Sequence, residues 1–164
     1  MESTVAVPPG DGILPALFST EAILLFDTEG TEKTTLLVVD SDRGLLEVCS
    51  IVLGRAGYKV LAAEGIRNAF IICRDSNWPA IQLLLLDALC PGTEGVDLVK
   101  FLRLGNPDVH ILFMSPLPPH ELELLYGMAT EVPVLQKPFT IPQLLAAVES
   151  TRMSQYSKTL QCPT

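Results

Sequence analysis

Four stretches of this chain end an apolar run in side chains able to handle charge. Leu36-Leu37-Val38-Val39 leads into Asp40, Ser41 and Asp42, and the run from Ile81 to Leu86 leads into Asp87. Ile111-Leu112-Phe113-Met114 leads into Ser115, and Val134-Leu135-Gln136 precedes Lys137. Two carboxylates held close repel each other, so they invite a divalent cation or an ammonium group. Mg2+ suits such a place, because it takes oxygen ligands, keeps several waters and is satisfied by one or two carboxylates plus a phosphoryl oxygen. An aspartate can also attack phosphorus and carry the group as an aspartyl phosphate. Phosphoryl transfer asks mostly for positioning and charge neutralisation, which a lysine and a hydroxyl can supply. Each residue has a plainer reading when taken alone. Asp87 could open a turn, Ser115 could cap a helix, and Lys137 could be a solvated charge. Convergence from separate strands is what argues for chemistry.

The elements that must bring these residues together follow from hydrophobic spacing. The run over 81–86, bounded by Pro91-Gly92, reads as a strand buried on both faces. Asp87 then stands at the carboxyl end of a central parallel strand, the edge where ligands collect in open α/β sheets. From Arg43, the spacing of Leu45, Leu46, Cys49, Val52 and Leu53 predicts a helix closed by Gly57. A second strand over 59–63 is followed by a helix marked by Ile66, Ala69, Phe70 and Cys73, ending before Asn77-Trp78-Pro79. Val96, Leu98, Val99 and Leu102 mark a third helix, ended by Gly105-Asn106-Pro107. A fourth strand over 109–115 leads to the stiff loop Pro116-Leu117-Pro118-Pro119 and a helix over 120–128. A fifth strand over 132–136 and a last helix from Ile141 to about Met153 complete the pattern. Five strand-helix units in alternation predict an α/β fold, a doubly wound five-stranded parallel sheet with helices on both faces.

This domain spans 34–153, with a leader over 1–33 and a polar tail over 154–164. The leader carries Pro8, Pro9, Gly10, Gly12 and Pro15, and has little regular structure of its own to predict. Its run Ile23-Leu24-Leu25-Phe26-Asp27 repeats the pattern of Leu36 to Asp40, so an extra strand at about 22–27 is expected, as an edge strand or a docking segment.

Composition narrows the partners. A net charge of −8 and a pI of about 4.6 argue against nucleic acid, which demands a basic footprint. Mean hydropathy of +0.37 is high, yet the longest apolar runs are strand-length and far short of a bilayer. Met1-Glu2-Ser3-Thr4 lacks the basic start of a signal peptide. Cys49, Cys73, Cys90 and Cys162 lie far apart with no CxxC, and only two histidines accompany them, so no zinc set is expected. They read as small apolar residues in a reducing compartment. A soluble cytoplasmic protein is expected.

Taken together, Leu37-Val38-Val39-Asp40, the stretch from Leu85-Leu86-Asp87 to Gly95, Ile111-Leu112-Phe113-Met114-Ser115 and Leu135-Gln136-Lys137-Pro138-Phe139-Thr140 resemble the receiver domain of two-component response regulators. The likeness runs over about 34–151, and its Phe-Met-Ser and Leu-Gln-Lys-Pro-Phe-Thr wording is similar to receivers attached to hybrid sensor histidine kinases. It implies a flavodoxin-like sheet of order 2-1-3-4-5. It implies a phosphoacceptor role for Asp87 and an acidic-pocket role for Asp40. Mg2+ would be held by these carboxylates and the backbone carbonyl of Leu89. Ser115 would hydrogen-bond the phosphoryl group, Lys137 would pair with it, and the Lys137-Pro138 bond would be cis. The implied partner is a histidine kinase or phosphotransfer protein in a phosphorelay. The implied chemistry is self-catalysed acceptance and hydrolysis, with no separate substrate turned over. Leu122, Leu124, Leu125, Tyr126 and Met128 exceed one helical stripe, so a homodimer or partner contact through the face from the fourth to the fifth helix is also expected.

Two positions depart from the family's pattern. Ser41 stands where the family has its direct carboxylate ligand, so weaker Mg2+ binding is expected. Asp42 is one place further on, and alternation points it elsewhere unless the loop bends. Val134 stands where the family has its aromatic switch residue, and the proline-rich loop restrains the backbone beside Ser115. These departures keep an alternative open, a degenerate receiver-like module that binds a protein without phosphorylation. A flavodoxin-like cofactor protein fits less well, since no glycine-rich loop follows the first strand. Few residues follow the last helix, so no DNA-binding unit is expected in this sequence.

Overall fold

A computed structural model of the chain describes residues 33–75, 80–90, 95–126 and 133–154. The expected leader strand at 22–27 and the tail beyond 154 lie outside the described residues. Among the described residues, five strands alternate with five helices. These are β1 (Thr35–Asp40), α1 (Arg43–Arg55), β2 (Lys59–Glu64), α2 (Gly65–Asp75) and β3 (Ile81–Asp87). They are followed by α3 (Gly95–Gly105), β4 (His110–Ser115), α4 (Pro119–Tyr126), β5 (Val134–Gln136) and α5 (Ile141–Met153). The strands form one sheet in the order β2-β1-β3-β4-β5, and every pairing is parallel.

The two-residue period of the strands builds two separate cores. On one face, Leu36, Val38, Leu83, Leu85, Leu112 and Met114 pack with residues of α1 and α5. On the other, Leu37, Val39, Leu84, Leu86, Ile111 and Phe113 pack with residues of α2, α3 and α4. Central strands apolar on both faces are what covering helices on both sides require. Asp40 and Asp87 continue the phase of Val38 and Leu85, while Ser115 continues that of Phe113. The sheet therefore sorts the polar residues before any of them touches another.

Local signals fix where the helices begin and end. Asp42 is the N-cap of α1, its side chain accepting from the Leu45 N–H at 3.1 Å. Gly57 closes that helix at φ 94°, a left-handed conformation suited to glycine. The Tyr58 N–H returns to the Leu53 carbonyl and the Gly57 N–H to that of Gly54, the paired bonds of a Schellman ending. A capping box of Thr140 and Gln143 starts α5. Near its end, the Tyr58 hydroxyl donates to Glu149 (2.9 Å), which also pairs with Arg152.

The starts of β5 and α4 differ from those their spacing predicts. β5 begins at Val134 rather than 132: Pro133 has no N–H to donate, and only its carbonyl joins the neighbouring strand, accepting from the Phe113 N–H. α4 begins one residue early, at Pro119, whose fixed φ suits a first helical turn. Its expected end at 128 lies outside the described residues. Among the described residues, no helix is long and apolar enough to cross a membrane.

Leu85 lies fully buried in β3 between β1 and β4. Leu85→Ala is expected to lower the unfolding free energy by about 2–5 kcal/mol in urea titrations, through lost burial and a cavity in the α1–α5 core. A loss under about 1 kcal/mol would contradict that packing.

Candidate functional site

Asp40, Asp87 and Lys137 meet at the carboxyl edge of the sheet. The Lys137 ammonium lies 2.6 Å from Asp40 Oδ2 and 3.4 Å from Asp87 Oδ1, and so joins residues from β1, β3 and the turn after β5. Both carboxylates are buried, Asp40 to 1% exposure and Asp87 to 7%. Backbone donors hold each one. The Asp42 N–H donates to Asp40 Oδ1 (2.9 Å), and the Leu89 N–H donates to Asp87 Oδ1 (3.2 Å). The Ala88 N–H continues the ladder to the Met114 carbonyl, so Asp87 is held in line with β4.

The lysine is placed as firmly as the acids. Its own N–H donates to the Ser115 carbonyl at 2.7 Å, and the following Lys137-Pro138 bond is cis, as expected. The proximity of opposite charges decides its protonation. Burial pulls the ammonium towards neutrality, but the hydrogen bond to Asp40 and the charges of Asp87 and Asp40 outweigh that, and its pKa rises above the ordinary lysine value. Ser115 is fully buried, and its Oγ accepts from the Leu117 N–H at 2.9 Å. That bond folds the proline-rich loop back on the strand end rather than capping α4. It leaves the hydroxyl proton of Ser115 available as a donor.

Cys49 and Cys90 are buried, one in each core. Burial pushes the Cys90 thiol up to about 11, with Asp87 and Asp40 adding to the rise, and burial and Asp40 do the same to Cys49. Both are protonated and inert at neutral pH, in keeping with their expected role as small apolar residues. Cys162 lies outside the described residues.

The remaining predicted positions divide. Leu89 sits at the pocket rim with 44% exposure, next after Ala88 in the turn that follows Asp87. Ser41 is exposed. Asp42 does bend back, but its carboxylate is spent on the N-terminus of α1 and does not replace the missing acid. An acid three residues before Leu45, at the start of an apolar periodic run, was the available signal for that cap. Val134 is partly buried against the α2–α4 core, paired in register with Phe113, and no ring stands at this position. Sequence reasoning missed two contacts. One is the Lys137–Asp40 pair itself. The other is an exposed Arg43–Glu64 pair at 2.7 Å, in which Glu64 is the register partner of Asp40 on β2. Among the described residues, no three His, Cys, Asp or Glu side chains gather as a metal cluster.

The sequence model described as the response regulator receiver domain matches residues 36–149. The chain belongs to the response regulator receiver family. Response regulator SaeR of Staphylococcus aureus is 24% identical over 126 residues, which cover 75% of this chain and 53% of SaeR. The chain thus spans about half the length of the curated relatives it matches. A response regulator from Thermotoga maritima superposes with a TM-score of 0.61 at 26% identity, covering 75% of this chain and 100% of that one. Chemotaxis protein CheY4 of Vibrio cholerae superposes at 0.62 with 24% identity, covering 73% and 99%, and shares the fold. The receiver domain's five-stranded parallel sheet is the frame on which the Asp40–Lys137–Asp87 group is built.

The raised pKa of Lys137 has a defined pH signature. Its ion-pair contribution is fully present below the unfolded lysine value of 10.5 and is lost as pH rises through the higher folded value. Lys137→Met is therefore expected to be less stable than the parent at neutral pH, and the gap should close above about pH 10.5. Urea midpoints of both proteins across that range provide the check; a gap that stays constant to about pH 11.5 would assign it to packing instead.

Proposed function

We propose that this receiver domain takes a phosphoryl group on Asp87 from a histidine kinase or phosphotransfer protein in two-component signalling. The observation that carries the reading is the Lys137 ammonium suspended between Asp87 and Asp40, since phosphoryl transfer depends on neutralised charge at a fixed acceptor. Asp87 forms the new P–O bond as the donor's P–N bond breaks. The bonding pair stays on the imidazole nitrogen, which takes up a proton. Lys137 then pairs with one phosphoryl oxygen, and the Ser115 hydroxyl donates to another. Hydrolysis by water returns the free Asp87 carboxylate and releases phosphate, so the domain turns over no substrate beyond its own acyl phosphate.

The donor set of Asp40, Asp87 and the Leu89 carbonyl is all hard oxygen and fits Mg2+. The exposed, neutral Ser41 adds little to it. When bound, the metal supplies charge neutralisation to the phosphoryl oxygens. The receiver unit is read as 34–153, around the family match. Leu124 at 86% exposure on α4 and Met153 at 70% on α5 support a partner or second copy meeting the α4–α5 face. The acidic composition supports a protein partner rather than nucleic acid, in the cytoplasm where the cysteines stay reduced. A module that binds without phosphorylation would have no use for an aligned Asp87, Ser115 and Lys137, and it is the weaker reading.

Incubation with acetyl phosphate and Mg2+ should give a single phosphoryl adduct by intact mass. Asp87→Asn should abolish it, and Ser115→Ala should slow its formation by about tenfold or more. No adduct on the parent protein, with its fold intact by circular dichroism, would overturn the proposal.

A further inference from the structure

Away from the pocket, α2 and α3 carry a charge opposite to that of the chain as a whole. The protein has a net charge of −8, yet these two helices hold Arg67, Arg74, Lys100 and Arg103 against only Asp75 and Asp97. Their solvent faces follow helical spacing. Arg67, Ile71 and Arg74 form an exposed stripe on α2, and Asp97, Lys100 and Leu104 form another on α3. The helices meet through Phe70 and Phe101, edge to face with ring centroids 5.4 Å apart, which sets the two stripes side by side. Ile71 is 51% exposed and Leu104 82%, so the basic face also presents two large aliphatic side chains. Arg74 is paired with Asp75 at 3.1 Å. Among the described residues, neither Arg67 nor Lys100 enters an ion pair.

We infer that the α2–α3 face docks an acidic, leucine-bearing segment of a partner protein. Charge complementarity selects that occupant. A single exposed aliphatic side chain needs no explanation, but two beside unpaired cations match a segment of mixed character. Its carboxylates meet Arg67 and Lys100, which orient it, and its apolar side chains cover Ile71 and Leu104, which supply burial. A second copy presenting the same face would oppose cation to cation, since a two-fold contact brings one patch against itself. Nucleic acid is a poorer match, because two unpaired cations make a small phosphate footprint and the acidic remainder of the chain repels a polyanion. The inference goes beyond the phosphoacceptor reading. It uses no residue of the Asp40–Lys137–Asp87 group, and docking on this face requires no phosphoryl transfer.

The test is an NMR titration of the full, unphosphorylated chain with the synthetic peptide Glu-Leu-Leu-Glu-Glu-Leu-Leu-Glu. The methyl resonances of Ile71 and Leu104 should move along one saturation curve. Those of Val48 and Ile51, exposed on α1, should stay in place. Arg67→Glu combined with Lys100→Glu should weaken binding about tenfold or more, and so should lysine in place of the peptide's glutamates. Leu104→Ser should weaken it severalfold. All three positions are exposed, so the variants keep the fold, and the parent titration stands without them. Unmoved Ile71 and Leu104 resonances would overturn the inference, as would equal movement of Val48 and Ile51. Stronger movement of the same resonances by a short oligonucleotide or by phosphatidylserine vesicles would assign the face to another occupant and overturn it too. Self-association abolished by Lys100→Glu would do the same in favour of a second copy.

Discussion

The contact between the Lys137 ammonium and the Asp40 carboxylate is the constraint around which the site is arranged. Asp40 is almost wholly buried and Asp87 nearly so. Leaving either charge unpaired in that setting would cost several kcal/mol, and leaving both would add their mutual repulsion. A single cation placed between them relieves both problems. It has to arrive from a distant part of the chain, 97 positions after Asp40, so it also ties the last strand to the first. The pair is thus a folding constraint as much as a chemical device.

The sheet makes that meeting possible through period and order. β1 and β3 are neighbours, so Asp40 and Asp87 end adjacent strands in the same phase of alternation. Lys137 follows Leu135 by two residues and shares the phase that faces α1 and α5. Ser115 falls in the opposite phase, and its Oγ is engaged by the N–H of Leu117 in the loop that follows. The apolar strands do more than supply stability. They keep water from the carboxylates, and electrostatic interactions of the group are stronger in that setting than at a free surface.

Much of this was legible in the sequence, and what escaped has physical causes. Runs such as Leu83 to Leu86, short and bounded by turn formers, read as buried strands, and the helices announce themselves by apolar spacing. The polar residues that end the strands were therefore placed correctly by period alone. The Lys137–Asp40 contact was not legible, because spacing gives the edge on which a side chain emerges but not which of two acids a long, flexible lysine will choose. The cap role of Asp42 was hidden by its resemblance to a ligand: an acid beside an acid reads as a pair, yet the unsatisfied N–H groups of α1 claimed it first. β5 was overread because Val132-Pro133-Val134 is rich in strand formers, while proline leaves a gap in the ladder.

The substitution at Ser41 gains its meaning from the same competition between neighbours. Were Asp42 free, it could have offset the lost acid by a small bend of the loop. Releasing it would leave the Leu45 N–H without its acceptor, at a cost of about 1 kcal/mol for a typical cap. The pocket is therefore left with two acids and one base, a charge balance stable as it stands.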